Sequence, residues 1–191
     1  MNLTADAIRN ILGLKPHTTC GYVNETFRSS LFVPAAQLPP AFMGSRAMGT
    51  VLYFMVTQDA PIQLHRIRSD QMYHHYLGDP LEVLLLYPKG DGEVLTVGPD
   101  LVSGMRPQLL IPGGTFHISR LRRPSHDTPG VGYALLGTTE WPGADHSDVE
   151  LGIPEKLMEL YPHMRHSIAE FTGRMKEHRD SHSDRDSSRV A

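Results

Sequence analysis

HRIRSDQMYHHYLG, residues 65–78, is the stretch on which the reading of the chain turns. It carries three of the eleven histidines, and a dense apolar run, Leu81 to Tyr87, follows it almost at once. The segment from Gln71 to Leu77 has the length of a strand and is bounded by Asp70 and by the turn residues Gly78, Asp79 and Pro80. Side chains on a strand alternate faces, so Gln71, Tyr73 and His75 share one face, and Met72, His74 and Tyr76 share the other. A face of Gln, Tyr and His in a chain rich in apolar strands either lines a cavity or forms the solvated side of an antiparallel sheet. A second stretch, PGGTFH at residues 112–117, adds a histidine that joins this face only if the two stretches meet in the fold.

Outward from this stretch, further strands are expected at Cys20–Ser29, Thr50–Thr57, residues 62–65, Leu81–Tyr87, Glu93–Val97, Gln108–Ile111, Thr115–Leu121 and Gly132–Thr139. The run TVLYFMVT from Thr50 is apolar enough for a buried strand, and Lys89-Gly90-Asp91-Gly92 is a hairpin signal. Many short strands with turn signals and little helix indicate an all-β sandwich or barrel. A short helix is expected over residues 3–13, with Thr4 as N-cap and Gly13 as its stop. Residues 34–48, rich in Pro and Gly, read as a loop able to arch over a barrel mouth. From Pro154 the period becomes helical: Leu157, Leu160 and Tyr161 precede Pro162, and Ile168, Phe171 and Met175 form a second apolar face. The expected organisation is a barrel with its N-terminal helix over 1–153, a helical extension over 154–176, and a disordered tail over 177–191.

With 191 residues the chain suits one domain with a sizeable core. A formal net charge of −3 gives no basic surface for nucleic acid. The single cysteine, Cys20, excludes an internal disulfide framework. No stretch reaches the length of a membrane span and no leader pattern opens the chain, so a cytoplasmic protein is expected.

The spacing of His65, Gln71 and Gly78 resembles the first cupin motif, which runs His-X-His, three or four residues, Glu, six residues, Gly. Pro112, Gly114 and His117 resemble the second, Pro-X-Gly-X-X-His. More specifically, the chain is similar to the group sometimes called the fifth cupin family. The resemblance runs through CGYVNETFRSS from Cys20, HRIRSDQMYHHYLGDPLEV from His65, GPDLVSGMRPQ from Gly98, IPGGTFHIS from Ile111 and GYALLGTTEWPGADH from Gly132. It implies a double-stranded β-helix, that is, a jelly-roll barrel. It also implies a homodimer, and Met43, Met48, Phe54, Met55 and the C-terminal helical face are candidates for the surplus apolar surface. The chain departs from the pattern in four places. The second motif histidine is Ile67 and the motif glutamate is Gln71; His75 and His117 stand where the family tends to carry aromatics.

These departures motivate the main functional expectation, a His-rich site for a divalent transition metal such as Fe, Zn, Ni or Mn. His65, His75 and His117 are the candidate imidazole ligands, with Gln71 as a weak neutral fourth. Dioxygenase, lyase or isomerase chemistry on a small-molecule substrate would follow. Tyr73, Gln71, Glu25 and Tyr22 are the candidate catalytic residues around that site. The alternative is a metal-free enzyme resembling sugar epimerases of the same barrel, with His65 or His117 as base and Tyr73 or Tyr22 as acid. Arg28, Arg66 or Arg120 would then hold phosphate or carboxylate. A third expectation is a non-catalytic barrel that binds a small ligand.

Overall fold

The computed structural model describes residues 3–123 and 129–173. Met175 and the expected disordered tail lie outside the described residues. Helix α1 (Ala5–Leu12) starts where expected, with the Thr4 hydroxyl accepting from the Ala7 amide at 3.2 Å. It stops at Gly13, whose φ of 62° is the left-handed cap that glycine adopts without strain.

Thirteen strands follow. They are β1 (Lys15–Pro16), β2 (Tyr22–Arg28), β3 (Phe32–Val33), β4 (Arg46–Ala47), β5 (Thr50–Thr57), β6 (Ile62–Arg66) and β7 (Asp70–Gly78). Then come β8 (Leu81–Leu86), β9 (Gly92–Val97), β10 (Gln108–Ile111), β11 (Phe116–Leu121), β12 (Tyr133–Trp141) and β13 (Glu150–Leu151). Helix α2 (Pro154–Leu160), a 3₁₀ turn (Pro162–Met164) and a helix over 165–173 close the described chain. The short strands β1, β3, β4 and β13 carry too few residues to show a period in the sequence.

One antiparallel sheet has the order β1-β2-β5-β12-β7-β10 and the other β13-β6-β11-β8-β9. Their inner faces meet in one core, in which Phe54, Val56, Ala134 and Leu136 from the first sheet pack with Ile62, Leu81, Val83 and Leu85 from the second. This is the expected all-β double-stranded β-helix. Even-numbered residues of β5 and β12 point inward, which has a consequence for polarity. Along β12 the inward series runs Ala134, Leu136, Thr138, Glu140, so the core passes from apolar to polar toward one end of the barrel.

The outer faces are covered by the helices. Helix α1 lays Ile8 on Met55, Tyr133 and Leu135. Leu157, Tyr161, Ile168 and Phe171 cover Leu64, Leu84, Leu86, Phe116 and Ile118 on the other sheet. Each such side chain contributes about 1.5–3 kcal/mol as an upper estimate. Two of the residues expected to supply a dimer surface are therefore used inside the chain: Phe54 is 1 % exposed and Met55 0 %. Of the apolar C-terminal face, Leu157, Tyr161, Ile168 and Phe171 are buried on the barrel in the same way, whereas Leu160, Met43 and Met48 remain exposed. The 34–48 segment is not a free arch. Its β3–β4 hairpin is tied to the segment after β12 by the buried Arg46–Asp148 pair, with Nε to Oδ2 at 2.7 Å and Nη2 to Oδ1 at 2.8 Å.

Candidate functional site

The two stretches that looked complementary in sequence do interlock. The Gly113 amide donates to Asp70 Oδ1 at 2.7 Å, and the Gly114 amide to the Ile67 carbonyl at 2.7 Å. Gly113 packs so closely on the Arg68 backbone that a Cβ would collide with the Arg68 carbonyl. Strand β11 consequently pairs with β6 in a register that sets His117 directly opposite His65. A register shift in this ladder, between His117 and Ser119, lets both Ile62 and His65 face inward despite their odd spacing.

The two imidazoles have ring centroids 4.3 Å apart. Each turns Nδ1 to a backbone carbonyl: His65 to Gln63 O at 2.8 Å and His117 to Thr115 O at 3.3 Å. A carbonyl only accepts, so Nδ1 carries the hydrogen and Nε2 presents a lone pair. Burial lowers the proton affinity of both rings; His117, fully buried beside His65, is held well below the ordinary imidazole range. Both are neutral near pH 7. The Gln71 amide nitrogen stands 3.5 Å from His117 Nε2, and Cys20 Sγ stands 4.0 Å from His65 Nε2. Burial pushes the Cys20 thiol up to about 11, which keeps it protonated.

A cavity of about 280 Å³ opens at this polar end of the barrel. Cys20, His65, Gln71, Tyr73, Thr138 and Glu140 form its polar wall, and Val23, Leu52, Phe54, Ile67 and Val149 its apolar wall. His17, Glu25, Arg28, Asp145 and His146 stand at its rim. Tyr73 is 2 % exposed, packs on Phe54 and meets the His117 ring edge-on at 6.0 Å. Burial, with Cys20 and Glu140 nearby, raises its phenol well above the ordinary value, so it remains a neutral donor.

The cavity gathers four of the expected site residues: His65, Gln71, Tyr73 and Glu25 line it, and His117 closes its floor from behind them. Two others are placed elsewhere. His75 has the expected parity but the wrong distance. At about 3.4 Å per residue it lies some 7 Å beyond Tyr73 along β7, and its Nε2 is 3.1 Å from the Asp79 carbonyl at the β7–β8 turn. Tyr22 faces outward because Val23 and Glu25 take the inward parity of β2; its ring lies under the Arg9 guanidinium at 4.3 Å and packs near α1. His74 is on the outer face as expected, stacked with Tyr76 and 3.3 Å from Thr139 Oγ1. Of the candidate anion holders, Arg66 pairs with Glu150 and Arg120 with Glu82 and Glu170, and only Arg28 reaches the cavity.

The three-imidazole metal set is therefore not formed. Among the described residues, no three His, Cys, Asp or Glu side chains lie close enough together to hold an ion. Two neutral imidazoles with a neutral amide supply neither the third imidazole nor a carboxylate that a catalytic transition metal needs. The residues present do not fit the expected metal.

Glu140 is the residue that the sequence reading missed. It lies directly opposite Gln71 in the β12–β7 ladder. Its Oε2 accepts from Thr50 Oγ1 at 2.7 Å and from the Ala144 amide at 3.3 Å. Burial raises its proton affinity against these bonds. A signal for it existed: Thr138 and Glu140 continue the inward parity of an otherwise apolar strand.

A family model described as the cupin superfamily (DUF985) matches residues 6–152. The chain belongs to this cupin family. Among its relatives, the uncharacterized protein YML079W of Saccharomyces cerevisiae is 27 % identical over 137 residues, 69 % of this chain and 67 % of that one. A hypothetical protein from Leishmania major has a solved structure with TM-score 0.77 and 29 % identity, covering 88 % of this chain and 98 % of that one. Protein SO0799 from Shewanella oneidensis gives TM-score 0.72 and 25 % identity, covering 89 % and 98 %. In this cupin, among the described residues, no helix is long and apolar enough to cross a membrane.

Proposed function

We propose that this cupin is an enzyme that moves protons on a small polar substrate, in the manner of a metal-free isomerase or epimerase. The observation that carries the reading is the pairing of opposite proton roles on one cavity wall. His65 Nε2 is a fixed lone pair on a neutral ring, and Tyr73 is a phenol held protonated. In this reading His65 Nε2 takes a proton from a carbon next to a carbonyl. Tyr73 returns one to the resulting enolate, at oxygen or at the opposite face of the carbon. His117 and Gln71 act by position: His117 packs against His65, and the Gln71 amide stands against His117.

The test is solvent deuterium incorporation. A panel of small hydroxy-aldehydes and hydroxy-ketones is incubated in D₂O, and exchange at the carbon next to the carbonyl is followed by proton NMR. The wild type is expected to exchange at least one member of the panel stereospecifically. Both His65→Gln and Tyr73→Phe are expected to lose that exchange while keeping their fold. Undiminished exchange in both variants would overturn the assignment, and a wild type silent across the panel would favour a barrel that only binds its ligand.

A further inference from the structure

Glu140 is a carboxyl buried without a salt bridge. It is 9 % exposed. Both of its hydrogen bonds go to Oε2, and Oε1 has no partner among the described residues. The nearest cation, Arg28, makes no hydrogen bond to it, and its charge offsets the effect of burial only in part. Arg28 spends Nε and Nη2 on Glu25, at 2.9 and 2.6 Å, and gives Nη2 also to the Ala144 carbonyl at 3.3 Å. A buried carboxylate left unpaired is costly, and a fold retains one where something else supplies the partner. Beside it on β12, Thr138 is 4 % exposed, lines the same cavity, and its Oγ1 has no hydrogen-bond partner among the described residues. Glu140 Oε1 thus borders the cavity as an open acceptor, and Thr138, two residues away on the same strand face, holds an unpartnered hydroxyl whose oxygen is covered until the side chain rotates. At the rim Glu25 is paired with Arg28, which leaves Asp145 beside His17 and His146.

We propose that the cavity takes a small hydroxylated molecule carrying a protonated amine, seated on Glu140 Oε1 with the Thr138 hydroxyl turning to meet it, and disfavours phosphorylated or carboxylated molecules. The proposal rests on the reading of this cavity as the active site and names its substrate class. An ammonium brings three donors and the counter-charge that the fold withholds. A phosphate or carboxylate would meet no cation on the cavity wall other than Arg28, already paired with Glu25, and would face Glu140 at close range. Size points the same way. At about 280 Å³ the cavity sits at the lower end of small-molecule sites, enough for one monosaccharide-sized ring and too small for a nucleotide-linked one.

Three probes matched in ring and differing in charge test this: glucosamine, glucose and glucuronate, each titrated into the full-length protein by calorimetry or NMR. Glucosamine is expected to bind most tightly, by roughly tenfold or more over glucose, the step that a charge-assisted hydrogen bond supplies. Glu140→Gln should erase that preference, and Thr138→Val should weaken glucosamine severalfold. His65→Gln should keep the preference while losing deuterium exchange, so failure of this proposal and failure of the proton-transfer reading are told apart. If Glu140→Gln does not fold by circular dichroism, Thr138→Val carries the test. Equal affinity for glucosamine and glucose, tighter binding of glucuronate, no glucosamine binding, an amine preference that survives in folded Glu140→Gln, or, where that variant does not fold, one undiminished in Thr138→Val, would each overturn it.

Discussion

Acidification should destabilise this cupin through its two buried imidazoles. His65 is 3 % exposed and His117 0 %, and both are held neutral by burial. In the unfolded chain a histidine takes up its proton near pH 6.5. Below that value the unfolded state binds more protons than the folded one, so stability falls as pH drops from about 6.5 toward the lowered folded values. A histidine that stays neutral contributes a slope of about 1.4 kcal/mol per pH unit, so His117, the more strongly lowered of the two, contributes up to about 2 kcal/mol between pH 6.5 and about pH 5, and His65 adds a smaller amount. Glu140 works in the opposite sense: its folded proton affinity is raised, so its protonation on acidification offsets part of the loss. The comparison that isolates the histidines is wild type against His117→Phe, since Glu140 is common to both. Urea unfolding at about pH 7.5 and about pH 5 should show a loss smaller by up to about 2 kcal/mol in the variant. Equal losses would show that His117 is not the buried neutral base that its surroundings imply.

Other outcomes follow from the same structure. Asp148→Asn should cost about 3–5 kcal/mol, because it strips the partner from a buried Arg46 and leaves that charge uncompensated; a melting temperature close to wild type would contradict the buried pair. His75→Phe should leave ligand binding in the cavity unchanged in the calorimetric titration, since its ring lies at the β7–β8 turn; loss of binding would bring His75 back to the site. Elemental analysis of protein purified without added metal should find less than stoichiometric divalent metal, and a chelator should leave the melting curve in place; metal at one per chain would restore the expectation built on His65 and His117. We also propose that the protein is a homodimer through the apolar groove lined by Leu3, Ile11, Tyr53, Tyr76 and Leu77, so Ile11→Glu should yield a monomer by sedimentation, and a wild-type monomer would reject the surface.

What the sequence disclosed depended on period and spacing. β5 and β10 match the expected runs residue for residue, because continuous apolar stretches bounded by turn residues leave little freedom. The interlocked motif loops were legible as well, since Gly78 and Gly113 mark close approaches: a Cβ on Gly78 would strike the Tyr133 carbonyl. Parity located Gln71 and Tyr73 correctly and failed for His75, because parity reports a face and not a depth along it. A facial ligand set needs three side chains at one level of the barrel, and two residues of strand rise were enough to remove His75 from it. Tyr22 failed through the opposite omission: its strand was recognised, but whether odd or even residues faced inward depended on β5, to which β2 pairs. The dimer residues Phe54 and Met55 were chosen on apolarity alone, which does not say whether a helix of the same chain already covers them.

The exchange of glutamate for glutamine in the first motif takes on a different meaning once the ladder is known. Read along the chain, Gln71 is a lost carboxylate. Read across the sheet, the residue paired with Gln71 is Glu140, and both side chains point into the cavity from neighbouring strands. Directly opposed side chains on one face have Cβ atoms about 4.5–5.5 Å apart, so the site carries a carboxyl one strand away from the motif position. That position separates it from the imidazoles. Gln71 remains beside His117, while Glu140 is drawn toward Thr50 and Ala144. A carboxylate among the imidazoles would raise their proton affinity and complete a ligand set. A carboxyl one strand away does neither: it leaves His65 a neutral base and stands free to hold a different part of the substrate. The neutral Gln71 thus accounts for the missing metal set, and Glu140, one strand over on the same wall, for the open acceptor.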